Sequence, residues 1–136
     1  MATLLAHIKV QPGREAEFEE IARGLHESTF LKETGVRHYE YFRAAEESLY
    51  YCFLAFDDFN AFLVHQTSDY HEAASPKLGE LVADLKLEWI DPVGGGSKLP
   101  PTNMQLLAEG ASDLTKTYHK MFAVTVQAWW EAQRSS

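Results

Sequence analysis

The stretch Leu49-Tyr50-Tyr51-Cys52-Phe53-Leu54-Ala55-Phe56 decides the fold of this chain. It is eight residues of apolar and aromatic side chains, so it reads as a strand. Both parities are apolar: Tyr50, Cys52, Leu54 and Phe56 oppose Tyr51, Phe53 and Ala55. A strand with one wet face alternates, so this one is covered on both sides.

The preceding segment, Val36 to Arg43, places Arg37, Tyr39, Tyr41 and Arg43 on one face and Val36, His38, Glu40 and Phe42 on the other. It is a second strand, joined by a turn over Ala44–Ser48. Leu4 to Val10 is a third, stopped by Pro12-Gly13. From Arg14 to about Lys32, Phe18, Ile21, Ala22, Leu25 and Thr29 fall on one helical stripe, with Gly35 as a C-cap. Asp57 and Asp58 can cap a helix over Phe59 to about His65, and after a break at Pro76 a short helical stripe resumes at Leu78, Leu81 and Val82. Leu85 to Asp91 alternates and ends at Pro92, giving a last strand.

The order strand, helix, strand, strand, helix, strand predicts an α+β, ferredoxin-like βαββαβ fold with one antiparallel sheet and helices on one face. Helices on one side leave the second apolar face of Leu49–Phe56 uncovered. A second copy is the simplest cover, so a homodimer is expected.

The domain closes near residue 93. Residues 94–101, containing Gly94-Gly95-Gly96-Ser97 and Pro100-Pro101, read as a linker, and 102–136 as a helical tail. Asp113 can cap one helix to about Gln133, with Leu114, Tyr118, Met121, Phe122, Thr125 and Trp129 as its stripe and Trp130 widening it. Tyr118, Met121, Phe122, Trp129 and Trp130 are expected to bury a broad apolar surface, on the protomer's own helical layer, on the partner subunit or over a pocket mouth.

Composition narrows the function. Twelve Lys and Arg against twenty Asp and Glu give a net charge of −8 with no long basic run, so nucleic acid is not an expected partner. The longest apolar run is far short of the roughly 18–20 residues of a membrane span, so no membrane association is expected. Met1–His7 lacks the basic region of a secretory signal, which leads to a cytoplasmic expectation. Cys52 is the only cysteine and reads as a core residue.

The candidate chemistry lies in His65-Gln66-Thr67-Ser68-Asp69-Tyr70-His71. His65 and Asp69 are i, i+4, so on a continued helix the carboxylate would orient the imidazole, as a general base requires. The two histidines do not share a helix face, and no metal-binding spacing such as HExxH occurs, so no metal is expected. No GxSxG, GxGxxG or P-loop pattern is present, which disfavours serine hydrolysis and nucleotide cofactors. Tyr39, Tyr41, Tyr50 and Tyr51 suit either a core or an aromatic ligand.

Ile8-Lys9-Val10-Gln11-Pro12-Gly13-Arg14-Glu15 leading into Phe18-Glu19-Glu20, then Gly35-Val36, then Phe59 to His71, then Trp89-Ile90-Asp91-Pro92-Val93, resembles the antibiotic biosynthesis monooxygenase (ABM) domain over about Leu4 to Val93. The resemblance implies a dimeric α/β barrel with a pocket between sheet and helices. It also implies oxygenation of phenolic or quinol substrates by molecular oxygen without metal or flavin. His65, Ser68 and His71 match the family's histidine–serine–histidine motif, with Tyr70 where a further histidine would stand. Leu54-Ala55-Phe56 stands where many members carry Glu-x-Trp. Haem-degrading relatives use an asparagine where Ala6 aligns, which makes haem the weaker of the implied ligands.

Two functions are therefore expected. The first is a cofactor-independent monooxygenase acting on a phenolic or hydroquinone-type molecule, with His65 as base and Tyr41, Phe56, Ser68, Tyr70, His71 and Trp89 binding substrate. The second is a non-catalytic small-molecule-binding or stress-associated dimer on the same scaffold.

Overall fold

The computed structural model describes residues 1–94 and 99–134; the middle of the expected linker and the last two residues lie outside them. Four strands form one antiparallel sheet: β1 (Ala2–Val10), β2 (Val36–Arg43), β3 (Leu49–Phe56) and β4 (Val82–Trp89), in the order β2-β3-β1-β4. With α1 (Glu15–Lys32) after β1, and α2 (Phe59–Gln66) and α3 (Asp69–Leu81) after β3, this is the ferredoxin-like arrangement, its second helix divided in two.

Register explains the layers. Ala2, Leu4, Ala6 and Ile8 of β1 pair with Phe56, Leu54, Cys52 and Tyr50 of β3. These residues, with Tyr39 of β2, are buried against Phe18, Ala22 and Leu25 of α1 and Phe59, Phe62 and Leu63 of α2. The opposite face carries Leu5, Tyr51 and Phe53, all half-buried, and Phe42, which is 47% exposed. Cys52 sits in the core, where burial pushes its thiol pKa up.

Three local expectations change. Gly35 does not cap α1: the helix ends at Lys32, and Glu33 leaves it in an extended conformation. Gly35 is needed instead because an added Cβ would lie 2.6 Å from Ala61 Cβ. Pro76 does not break the chain, since α3 runs through it. Packing of Ala74, Leu78 and Leu81 on the core outweighs one lost helical hydrogen bond. β4 begins and ends earlier than its alternation suggested, at Val82 and Trp89.

The tail is two helices, α4 (Asp113–Met121) and α5 (Ala128–Arg134), and Ser112 rather than Asp113 caps the first by accepting from Thr115 N. It packs on its own protomer: Tyr118, Phe122 and Val124 join the core, and Phe122 O accepts from Trp89 Nε1 at 3.2 Å. Trp130 is buried, whereas Met121 and Trp129 are 63% and 72% exposed. Among the described residues, no helix is long and apolar enough to cross a membrane.

Candidate active site

The site is built where two helix ends meet. Asp58 caps α2 by accepting from Ala61 N at 2.7 Å, and the helix carries His65 inward until the residue is 1% exposed. Ser68 then ends one helix and starts the next, donating to His65 O at 2.7 Å and accepting from His71 N at 3.3 Å. Its hydroxyl is a capping group that fixes the spacing of the two histidines.

Because the helix stops before Ser68, His65 and Asp69 do not form the expected i, i+4 pair; Asp69 opens α3 and is exposed. The carboxylate beside His65 comes from Glu33, the residue that follows α1. Glu33 Oε1 lies 3.0 Å from His65 Nδ1, with Thr29 Oγ1 3.5 Å from the same nitrogen. Tyr70 donates its hydroxyl to Glu33 Oε1 as well. The Glu33 side chain is 5% exposed. Sequence reasoning missed it, although a signal was present. Phe18, Ala22, Leu25 and Thr29 are the buried stripe of α1, and Glu33 is the next position on that stripe, an acid where an apolar residue belongs.

Burial tunes the neighbours. Desolvation, aided by the hydrogen bond to Glu33, pushes the Tyr70 pKa up to about 12, so it stays a donor. Desolvation, aided by the nearby His65, pushes His71 down to about 4 and keeps it neutral at pH 7. The two imidazole rings are 5.1 Å apart. Glu33 Oε2 and His71 Nδ1 are buried without a hydrogen-bond partner among the described residues. Such groups are costly unless something else meets them.

Aromatic rings enclose this cluster. Phe56 and Tyr39 lie 5.4 Å and 5.0 Å from the His65 ring. Tyr39 OH is 2.7 Å from Tyr41 OH, and burial pushes both pKa values up. Tyr41 in turn lines a cleft of about 240 Å³ between α1 and β2, with Phe18, Ala22, His26 and Tyr50 beside it. Charged side chains border it, and Glu19 accepts from Arg43 at 2.6 and 2.7 Å and from Tyr50 OH at 2.8 Å.

The structure thus brings His65, Ser68, Tyr70, His71 and Phe56 together. Tyr41 sits one tyrosine away, in the cleft wall. Trp89 is separate, tilted against Phe59 and edge-on to Phe62 beneath the tail, at 5.8 and 5.0 Å between ring centres. Among the described residues, no group of three or more His, Cys, Asp or Glu side chains could hold a metal ion.

Comparison with known proteins agrees with this architecture. A candidate antibiotic biosynthesis monooxygenase from Caulobacter crescentus shares 29% identity over 68% of this chain and 90% of its own, with a TM-score of 0.65. One from Bacteroides thetaiotaomicron, at 19% identity, has the same fold with a TM-score of 0.67 over 71% of this chain and 93% of its own. So does a conserved protein of Methanosarcina mazei, at 22% identity and a TM-score of 0.62 over 65% and 89%. No curated protein matches the chain. The family profile described as antibiotic biosynthesis monooxygenase matches residues 1–77, more than half of the sequence, and the chain belongs to that family.

Proposed function

We propose that this protein is a cofactor-independent monooxygenase that oxidises a phenolic or hydroquinone-type aromatic with molecular oxygen, working as a homodimer. The observation that carries this reading is the buried His65–His71–Tyr70 cluster, whose polar capacity is not all used within the fold. A quinol supplies its own four electrons. One oxygen atom of O₂ enters the ring, the other leaves as water, and the product is the hydroxyquinone, so no external reductant is needed. The protein's task is to bind the ring in a dry site, remove a hydroxyl proton and stabilise the resulting anion.

In this reading the ring lies in the cleft against Phe18, Tyr41 and Tyr50. Tyr41 and Tyr39, kept protonated by burial, offer hydroxyl donors to the developing phenolate. His65 is the base. Tyr39 links it to the cleft wall, its ring 5.0 Å from the imidazole and its hydroxyl 2.7 Å from that of Tyr41, and catalytic contacts commonly tighten only in the complex. Phe56 walls the imidazole, Ser68 and His71 set its surroundings, and Trp89 closes the aromatic layer behind Phe62.

Binding without turnover is the second reading, favoured by the apolar Leu54 where many members of the family carry an acid. Oxygen uptake with a panel of hydroquinones decides between them. The enzyme consumes oxygen stoichiometrically with quinone formation, and His65→Ala lowers turnover by roughly 100-fold or more while leaving the fold intact. A binding protein consumes none, and the same substitution changes ligand affinity only.

A further inference from the structure

We infer that Glu33 is the positioning residue of His65: its carboxylate holds the imidazole with the proton on Nδ1 and leaves the lone pair on Nε2, the nitrogen that then serves as base. The inference rests on reading His65 as the base. Three observations carry it.

The first is geometric. Glu33 Oε1 is 3.0 Å from His65 Nδ1, and the Tyr70 hydroxyl shares that oxygen. Tyr70 stays protonated, its pKa pushed up to about 12, so Oε1 is an acceptor and Nδ1 must be the donor toward it. A histidine's tautomer is set by the bond its other nitrogen makes. Glu33 therefore selects which nitrogen is free.

The second is energetic. The exposed pairs of this protein, such as Arg23 with Glu20 at 60% and 78% side-chain exposure, are screened by water. His65 and Glu33 are 1% and 5% exposed. Desolvating a carboxylate beside a histidine gives the fold little or nothing that packed apolar residues would not. The unpartnered Oε2 adds to that cost. Stability does not explain an acid at this position, whereas orientation of an imidazole does.

The third is topological. Glu33 follows the last turn of α1, and His65 lies near the end of α2, 32 residues later. Contact between the two helix ends ties the imidazole to a second element of the scaffold, so the ring is held from outside its own helix.

The test uses the full chain with ¹⁵N-labelled histidine. In the wild type at neutral pH, the imidazole shifts of His65 should show Nδ1 protonated and Nε2 bare. In Glu33→Ala the Nε2–H form, which free imidazole prefers, should become the major one, and Glu33→Asp should restore part of the wild-type pattern. With a hydroquinone substrate, Glu33→Ala should lower kcat by roughly 10- to 100-fold with KM changed less than about twofold, since the base is misoriented and the cleft is untouched. A wild-type His65 in the Nε2–H form overturns the inference, and this needs no variant to fold. A tautomer that Glu33→Ala leaves unmoved also overturns it. If the wild type turns over no hydroquinone, the reading of His65 as a base fails, and the tautomer experiment alone decides whether Glu33 holds the ring.

Discussion

Arg134, in the last turn of α5, grips Asp91 just beyond β4 with two hydrogen bonds, Nε to Oδ2 at 2.8 Å and Nη2 to Oδ1 at 2.9 Å. Both side chains are largely buried, 16% and 11% exposed, and Arg134 also donates to Thr102 O. Thr102, fully buried, meets Thr3 N and Ile90 O. α5 is thereby clasped to the edge of the sheet. Burial alone would raise the Asp91 pKa, but Arg134, Trp130 and Thr102 outweigh it and bring it from 3.8 to about 2. Its folded-state value is depressed, so the clasp contributes fully above about pH 4 and is lost as pH falls toward 2. Arg134→Ala should cost about 2 kcal/mol in urea unfolding at pH 7, and less at pH 3. An equal effect at both values would contradict this.

A chain ending at Val93 should keep its sheet and α1 but lose solubility. Tyr118, Phe122 and Trp130 bury against the rest of the protein, worth about 1.5–3 kcal/mol each before ordering entropy, and removing them uncovers Phe59, Phe62 and Trp89. Circular dichroism of the truncated chain should retain the sheet signature while light scattering shows association. Complete loss of secondary structure would place the tail within the core domain.

The wild type should sediment as a dimer at micromolar concentration. Leu5, Tyr51, Phe53 and Phe42 form an apolar face that the helices do not cover, and a second copy of the same face is its simplest partner. Phe53→Lys should shift the protein to monomer. A monomeric wild type in the ultracentrifuge would rule the pairing out.

His71 predicts a second pH dependence. Its folded pKa is pushed down from 6.5 to about 4, so between those values the unfolded chain takes up a proton that the native state does not. Stability should therefore fall by about 2–3 kcal/mol from pH 7 to pH 4 through this group. His71→Asn should flatten that part of the profile, measured by urea midpoints. A wild-type profile level across the window would contradict it.

Gly35→Ala should destabilise by about 1–3 kcal/mol, because the new methyl would stand 2.6 Å from Ala61 Cβ and push β2 off α2. Ala61→Gly should partly rescue it in a double-mutant cycle. Additive effects would show that contact is not the cause.

The sequence by itself determined the order of strands and helices through β4 and the buried stripe of α1. These follow from periodicity, which also marked Leu49–Phe56, apolar on both parities, as a strand; that it pairs with β1 and β2 came from the structure. It also located His65, Ser68, Tyr70 and His71, because they lie within one short segment. Tertiary structure alone decided what those residues touch. Asp69 was the carboxylate within helical reach of His65, but Ser68 ends the helix and sends the chain into α3, so local spacing no longer governs which side chains meet. Glu33 is 32 residues away, and only the packing of α1 beside α2 and α3 sets it on the imidazole. The tail follows the same rule: its apolar residues announced that it docks, while its division into α4 and α5 and the residues it meets are seen only in the structure. Periodicity reports which face of an element is buried, and the partner of that face is fixed only when the chain closes on itself.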